Sequence, residues 1–159
     1  MQTYGRRAIL ALMITLPVAA CGGRRRRRDE RRATRGDLYP NETPQLRRLI
    51  VKYARKYDVP VSLVQRVVKR ESTHRPSARN GPYYGLMQIH PTTARTMGFR
   101  GKPSDLLDAE TNLKYAVKYL RGAWLVSDGN QDKAVSWYSR GYYYEAKKRG
   151  MLRETGLVS

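Results

Sequence analysis

The chain has one cysteine and one phenylalanine in 159 residues, and several motifs that would announce a chemistry are missing. With Cys21 alone, no internal disulfide can form, and a CxxC pair or cysteine-based zinc cluster is excluded. His74 and His90 stand apart with no HExxH spacing, so no metal site is expected. There is no GxSxG elbow, which leaves Ser72 and His74 a weak basis for nucleophilic catalysis; both histidines are expected in loops. A glycine-rich phosphate loop is absent, repeats are not evident, and no cofactor is expected. No segment alternates polar with apolar residues over the length of a strand, so the fold is expected to be mainly α.

Acidic residues are scarce as well. There are 13 Asp and Glu against 32 Lys and Arg, a formal charge of +19. Residues 44–159 alone hold 22 Lys and Arg against 9 Asp and Glu, so the expected folded part is basic in its own right. A field of that sign favours polyanionic partners: nucleic acid, anionic lipid, or cell-wall polymer carrying peptide carboxylates. A solvated surface tuned for solubility is the alternative.

The N-terminal residues narrow that choice. Arg6 and Arg7 precede the apolar run Ala8 to Ala20, which Thr15 and Pro17 interrupt and which ends in small residues: the parts of an export signal over 1–20. The run is about thirteen residues, short of the roughly twenty that span a bilayer. Val18-Ala19-Ala20-Cys21 resembles a bacterial lipoprotein box, which implies acylation of Cys21, a membrane anchor and, with Gly22 following, the periplasmic face of the outer membrane. Residues 21–43 read as a lipidated cysteine and a disordered tether, since Gly23 to Asn41 is nearly devoid of apolar residues and carries Arg24 to Arg28 in a row. No aromatics interleave the arginines and the segment follows an export signal, so an anionic envelope surface is favoured over nucleic acid.

A single domain over 44–159 is expected, and it is long enough for one core. Thr43-Pro44 reads as an N-cap and first helical residue, and Leu46, Leu49, Ile50, Tyr53, Ala54 and Tyr57 then keep a helical period. A second helix over Leu63 to Glu71 stops before Pro76. Asn80-Gly81-Pro82 is a turn, and His90-Pro91 opens a short helix closed by Gly98. A loop through Gly101 and Pro103 leads to a long helix over Ala109 to Val126; Gln131 to Arg140 and Tyr142 to Arg149 are further helices.

Within this frame the chemistry centres on Glu71. Val64, Val67, Val68 and Glu71 follow the i, i+3, i+4, i+7 spacing, so the acid continues an apolar stripe. A carboxylate there is partly desolvated, which disfavours its charged form and raises its pKa, as a general acid near neutral pH requires. The other carboxylates flank turns or helix starts, where turn geometry or the helix dipole accounts for them. Glycoside hydrolysis ordinarily uses two carboxylates, and no obvious second one accompanies Glu71.

Glu71-Ser72, Pro76, Ala78, Gly85-Leu86-Met87-Gln88-Ile89, Pro91, Thr93 and Ala94 together resemble the signature of the SLT-type (family 1) lytic transglycosylases. Weaker likeness continues through Asn112, Tyr119, Leu120 and Tyr138. The resemblance implies a goose-type, lysozyme-like helical domain acting on peptidoglycan glycan strands. In that family one glutamate protonates the oxygen between N-acetylmuramic acid and N-acetylglucosamine. As a carboxylate it then takes the proton of the muramic acid C6 hydroxyl, which closes on C1 to give a 1,6-anhydro end. Glu71 would be that acid and base. Ser72 and Gln88 would line the groove, Met87 would pack along it, although a buried methionine filling the core is the commoner case, and Tyr138 would be the tyrosine that reaches the glutamate. Trp137-Tyr138-Ser139-Arg140-Gly141 departs from the family's Ala-Tyr-Asn-Ala-Gly, and Tyr83-Tyr84 replaces a small Gly-Ala pair. Two alternatives stay open on these departures: a non-catalytic glycan-binding scaffold of the envelope, and a hydrolytic lysozyme.

Overall fold

Thr43 and Pro44 begin the first helix as their chemistry dictates. The Thr43 hydroxyl accepts the Leu46 amide at 3.1 Å, and Pro44, which has no amide to satisfy, opens α1, Pro44–Lys56. The computed structural model describes residues 36–158; the export segment, Cys21 and the arginine run lie outside the described residues.

Helix α2 (Val61–Ser72) follows Pro60 and ends at Thr73, whose backbone takes the left-handed conformation. Next comes a small antiparallel hairpin, β1 (Arg79–Asn80) and β2 (Tyr83–Tyr84), with Asn80 opposite Tyr83 and Gly81-Pro82 as its turn. Helix α3 spans Pro91–Thr96, a 3-10 helix spans Pro103–Leu107, and α4 covers Ala109–Val126, followed by α5 (Gln131–Arg140) and α6 (Tyr143–Lys148). The mainly helical, lysozyme-like expectation therefore holds, and the hairpin and 3-10 helix are additions to it. At two residues each, β1 and β2 are too short to show an alternating pattern.

Helix α4 is the hub, packing against α1, α3, α5 and the 3-10 helix. Its stripe of Leu113, Ala116, Val117, Leu120 and Ala123 is fully buried, and the helix packs on α1. Gly122 leaves room for the Tyr142 ring, since a Cβ at that position would lie 2.2 Å from the tyrosine oxygen. The Tyr142 hydroxyl donates to the Tyr119 carbonyl at 2.9 Å and so ties the start of α6 to the middle of α4.

The described residues begin ahead of the expected boundary at Pro44. Residues ahead of it are pinned to the fold: the Arg47 guanidinium donates to the Asp37 carbonyl at 3.0 Å, and Tyr39 stacks on His74 with ring centroids 5.0 Å apart. Glu42 is buried and accepts from Arg47 at 2.6 and 2.7 Å, from Gln65 at 2.7 Å and from the Tyr39 amide at 3.0 Å. Burial would push the Glu42 carboxyl up, but the bonds from Arg47, Gln65 and Tyr39 outweigh it and hold the group ionised. His74 lies in the turn after α2, as a loop residue, but it is fully buried there, with Nε2 donating to Gln65 Oε1 at 2.7 Å. Composition alone could not reveal this, because the polar segment is held by a buried ion pair rather than by apolar contact.

Candidate active site

Glu71 lies in the last turn of α2, where the buried stripe of Val64, Val67 and Val68 runs out into a cleft. Its side chain keeps 23% of its exposure, enough to meet a ligand and little enough to feel desolvation. That burial pushes the carboxyl above the usual carboxylate range; the Arg70 guanidinium, 3.6 Å away, pulls it back in part. No hydrogen-bond donor among the described residues anchors the carboxylate closer than this.

The cleft, of about 610 Å³, is walled by the end of α2 on one side and the end of α5 on another, with Tyr83, Gln88, Ile89, His90 and Thr93 between them. Glu71 is the one carboxylate among the described residues that line it. Most of the other acids are engaged at the surface: Glu110 with Lys52, Asp132 with Arg66, Asp128 and Glu145 with Arg149. His90 stands at the start of α3, where its Nδ1 accepts the Thr92 amide at 3.1 Å, and it meets Tyr83 edge to face.

Four further residues were expected around the acid, and the structure separates them by role. Gln88 does line the cleft. Its backbone is left-handed, at φ 46°, and its side-chain amide donates to the carbonyls of Ala78 and Gly85 at 3.1 and 2.9 Å. Those bonds stabilise the strained turn and leave Oε1 without a partner among the described residues, open to a donor in the cleft.

Tyr138 also reaches the cleft, but its hydroxyl donates to the Met87 carbonyl at 2.8 Å rather than to the glutamate. Burial drives its phenol well above the ordinary value, with the nearby Glu71 charge adding to the effect, so it stays a neutral donor.

Ser72 and Met87 do not line the groove. Ser72 is buried, and its hydroxyl donates to the Leu86 carbonyl at 2.8 Å, binding the end of α2 to the Gly85–Ile89 turn. Met87 is fully buried in the core, as its apolar, flexible side chain favours. Both residues build the wall behind Glu71 instead of its surface.

Asn112 was legible only as part of a weak likeness, yet it organises this wall. It is fully buried on α4, accepts the Met87 amide at 3.0 Å, and donates to the carbonyls of Tyr84 and Leu106 at 2.8 Å each. Gly85 faces it at φ 73°, where a Cβ would come within 2.3 Å of both the Asn112 amide and the Leu106 carbonyl. Only glycine fits there. Thr93, one of the signature residues, also lines the cleft, as do Arg70, Asn80 and Arg140, to which no spacing in the sequence gave a place there.

The family model of the Transglycosylase SLT domain matches residues 48–153, a span that holds Glu71, the Gly85–Ile89 turn, Asn112 and Tyr138. No solved structure matches the chain.

Proposed function

The chain belongs to the transglycosylase SLT family, whose function is of the lytic transglycosylase type and directed at peptidoglycan, and from that premise we propose that it cleaves the β-1,4 bond between N-acetylmuramic acid and N-acetylglucosamine without water, leaving a 1,6-anhydro end. One observation carries the reading: Glu71, with its pKa raised by desolvation, is the single carboxylate among the described residues that line the cleft. A protonated Glu71 gives its proton to the glycosidic oxygen as the bond to C1 breaks. The resulting carboxylate takes the proton of the C6 hydroxyl, whose oxygen closes on C1, and the group returns to its starting state. A raised pKa serves the first half and makes the carboxylate a stronger base in the second. Gln88 Oε1 supplies an acceptor for a sugar hydroxyl or amide beside it.

Mass spectrometry of the products from purified peptidoglycan tests this. Anhydro-muropeptides are expected; reducing ends would replace the reading with hydrolysis, and binding without products would replace it with a glycan-binding scaffold.

We further infer that Cys21 is acylated and tethers the domain to the outer membrane from its periplasmic side, with the Arg24 to Arg28 run against anionic headgroups. The sequence from Arg6 to Cys21 supports this. Metabolic labelling with a fatty-acid probe is expected to mark the wild type and not Cys21→Ser; an equally labelled Ser variant would refute the anchor.

A further inference from the structure

The cleft carries a cation that the proposed chemistry does not use. Arg140 ends α5 and lines the same cavity as Glu71. Its guanidinium carbon lies 3.9 Å from the centroid of the Trp137 ring. Among the described residues no carboxylate or other acceptor pairs with it. The one other arginine among the described residues of the cleft wall, Arg70, is engaged with Glu71 at 3.6 Å. Neighbouring Ser139 turns its hydroxyl back to the Val135 carbonyl at 3.1 Å, so Arg140 carries the polar chemistry of this stretch of wall.

A guanidinium resting on an aromatic face is held in position while the edge that bears its N–H groups stays free, and that fork matches a carboxylate in two parallel hydrogen bonds. Stacking also lowers the side-chain entropy lost on binding. A cation is favoured at any helix C-terminus, but that explains neither the placement in the cleft wall nor the absence of an acidic partner among the described residues.

We propose that Arg140, held by Trp137, is a specificity-determining residue that binds a carboxylate carried by the glycan strand. This rests on the peptidoglycan reading above and deepens it: the preferred substrate is a carboxylate-bearing N-acetylhexosamine strand rather than an uncharged one. Two sources supply that chemistry. Peptide stems carry carboxylates along their length, and a muramic acid stripped of its stem exposes the carboxylate of its own lactyl group.

The test is binding by the full chain carrying Glu71→Gln, which separates recognition from turnover. Three ligands of equal sugar length are compared: stem-bearing glycan fragments, the same fragments stripped by an amidase, and β-1,4-linked N-acetylglucosamine oligomers without carboxylates. At least one carboxylated ligand is expected to bind about tenfold or more tighter than the uncharged oligomers, as a charge-assisted hydrogen-bond pair allows. Which of the two gains identifies the source. Adding Arg140→Ala should close the gap, and Arg140→Lys, which keeps the charge but loses the fork, should restore part of it. Raising the salt should shrink the gap in the parent and leave the Arg140→Ala variant unmoved.

No gap in the parent, or a gap that survives Arg140→Ala, overturns the carboxylate role. If wild-type protein still forms anhydro ends in that case, the transglycosylase reading stands without it. No binding to any of the three ligands and no products would remove both.

Discussion

Glu71→Gln is expected to abolish strand cleavage while leaving the fold and glycan binding in place. Positioned acid–base catalysis contributes about 10²- to 10⁴-fold, and Glu71 would act in both halves of the reaction, so the loss should be about 10³-fold or more. Among the described residues no second carboxylate lines the cleft to take over. Gln is isosteric, and among the described residues the carboxylate holds no structural hydrogen bond that its loss would break. Turnover of purified peptidoglycan, read beside a melting curve and a binding isotherm, separates the outcomes. A Gln variant that still cuts would exclude Glu71 as the acid, whereas loss of activity together with loss of the melting transition would make it a structural residue.

The same residue sets a pH dependence whose sign follows from its environment. Glu71 starts as an acid, so its activity should be highest where it is protonated and should decline as pH rises through its raised pKa. Stability moves the same way. The unfolded chain releases this proton near 4.5 and the folded one only at higher pH, so above 4.5 the folded state increasingly bears a desolvated charge. That stabilising preference for the proton is complete below 4.5 and lost as pH rises through the folded pKa. Glu71→Gln, which removes the charge, should therefore melt above the wild type at neutral pH, and the difference should vanish as pH falls below 4.5. A variant that melts lower at every pH would show that the carboxylate holds contacts of its own.

The acid was legible because helical periodicity reports which way a side chain faces along a regular element, and Glu71 is the fourth member of a stripe whose other three are buried. The sequence did not decide between groove and interior for Ser72 and Met87, because they stand where periodicity ends. Ser72 closes α2, and Met87 sits in an irregular turn where inward and outward are decided by hydrogen bonds to Leu86 and Asn112. His74 and Glu42 escaped for a related reason: polar residues in a polar segment read as solvated unless their partners, here Gln65 and Arg47, are seen to converge. Arg140 is the same kind of case. Proximity in sequence to Tyr138 did not say that its end of the helix forms a wall of the cleft.

Asn112→Leu should cause the largest loss of stability among single changes at the site, and a loss of activity by a route that does not touch the acid. The substitution keeps the branched outline but leaves two buried backbone groups unpaired, the Met87 amide and the Leu106 carbonyl, and takes a donor from the Tyr84 carbonyl, which keeps the Ile89 amide. Each unsatisfied buried group costs about 1–3 kcal/mol, so a total of about 2–5 kcal/mol is expected after local relaxation. At several degrees per kcal/mol for a domain of this size, the melting temperature should fall by about 10 °C or more. Asn112→Asp is the sharper variant. It retains the acceptor for the Met87 amide but turns a donor into an acceptor against the two carbonyls, so it should be no better than Leu despite its closer shape. An Asp variant close to wild type would mean that the Met87 bond alone carries the position. Either substitution frees the Gly85–Ile89 turn, and with it Gln88 and the carbonyl that receives Tyr138, so kcat should fall even where the protein remains folded. Full activity in a folded Asn112→Leu variant would show that the turn is held by Ser72 and Tyr138 without it.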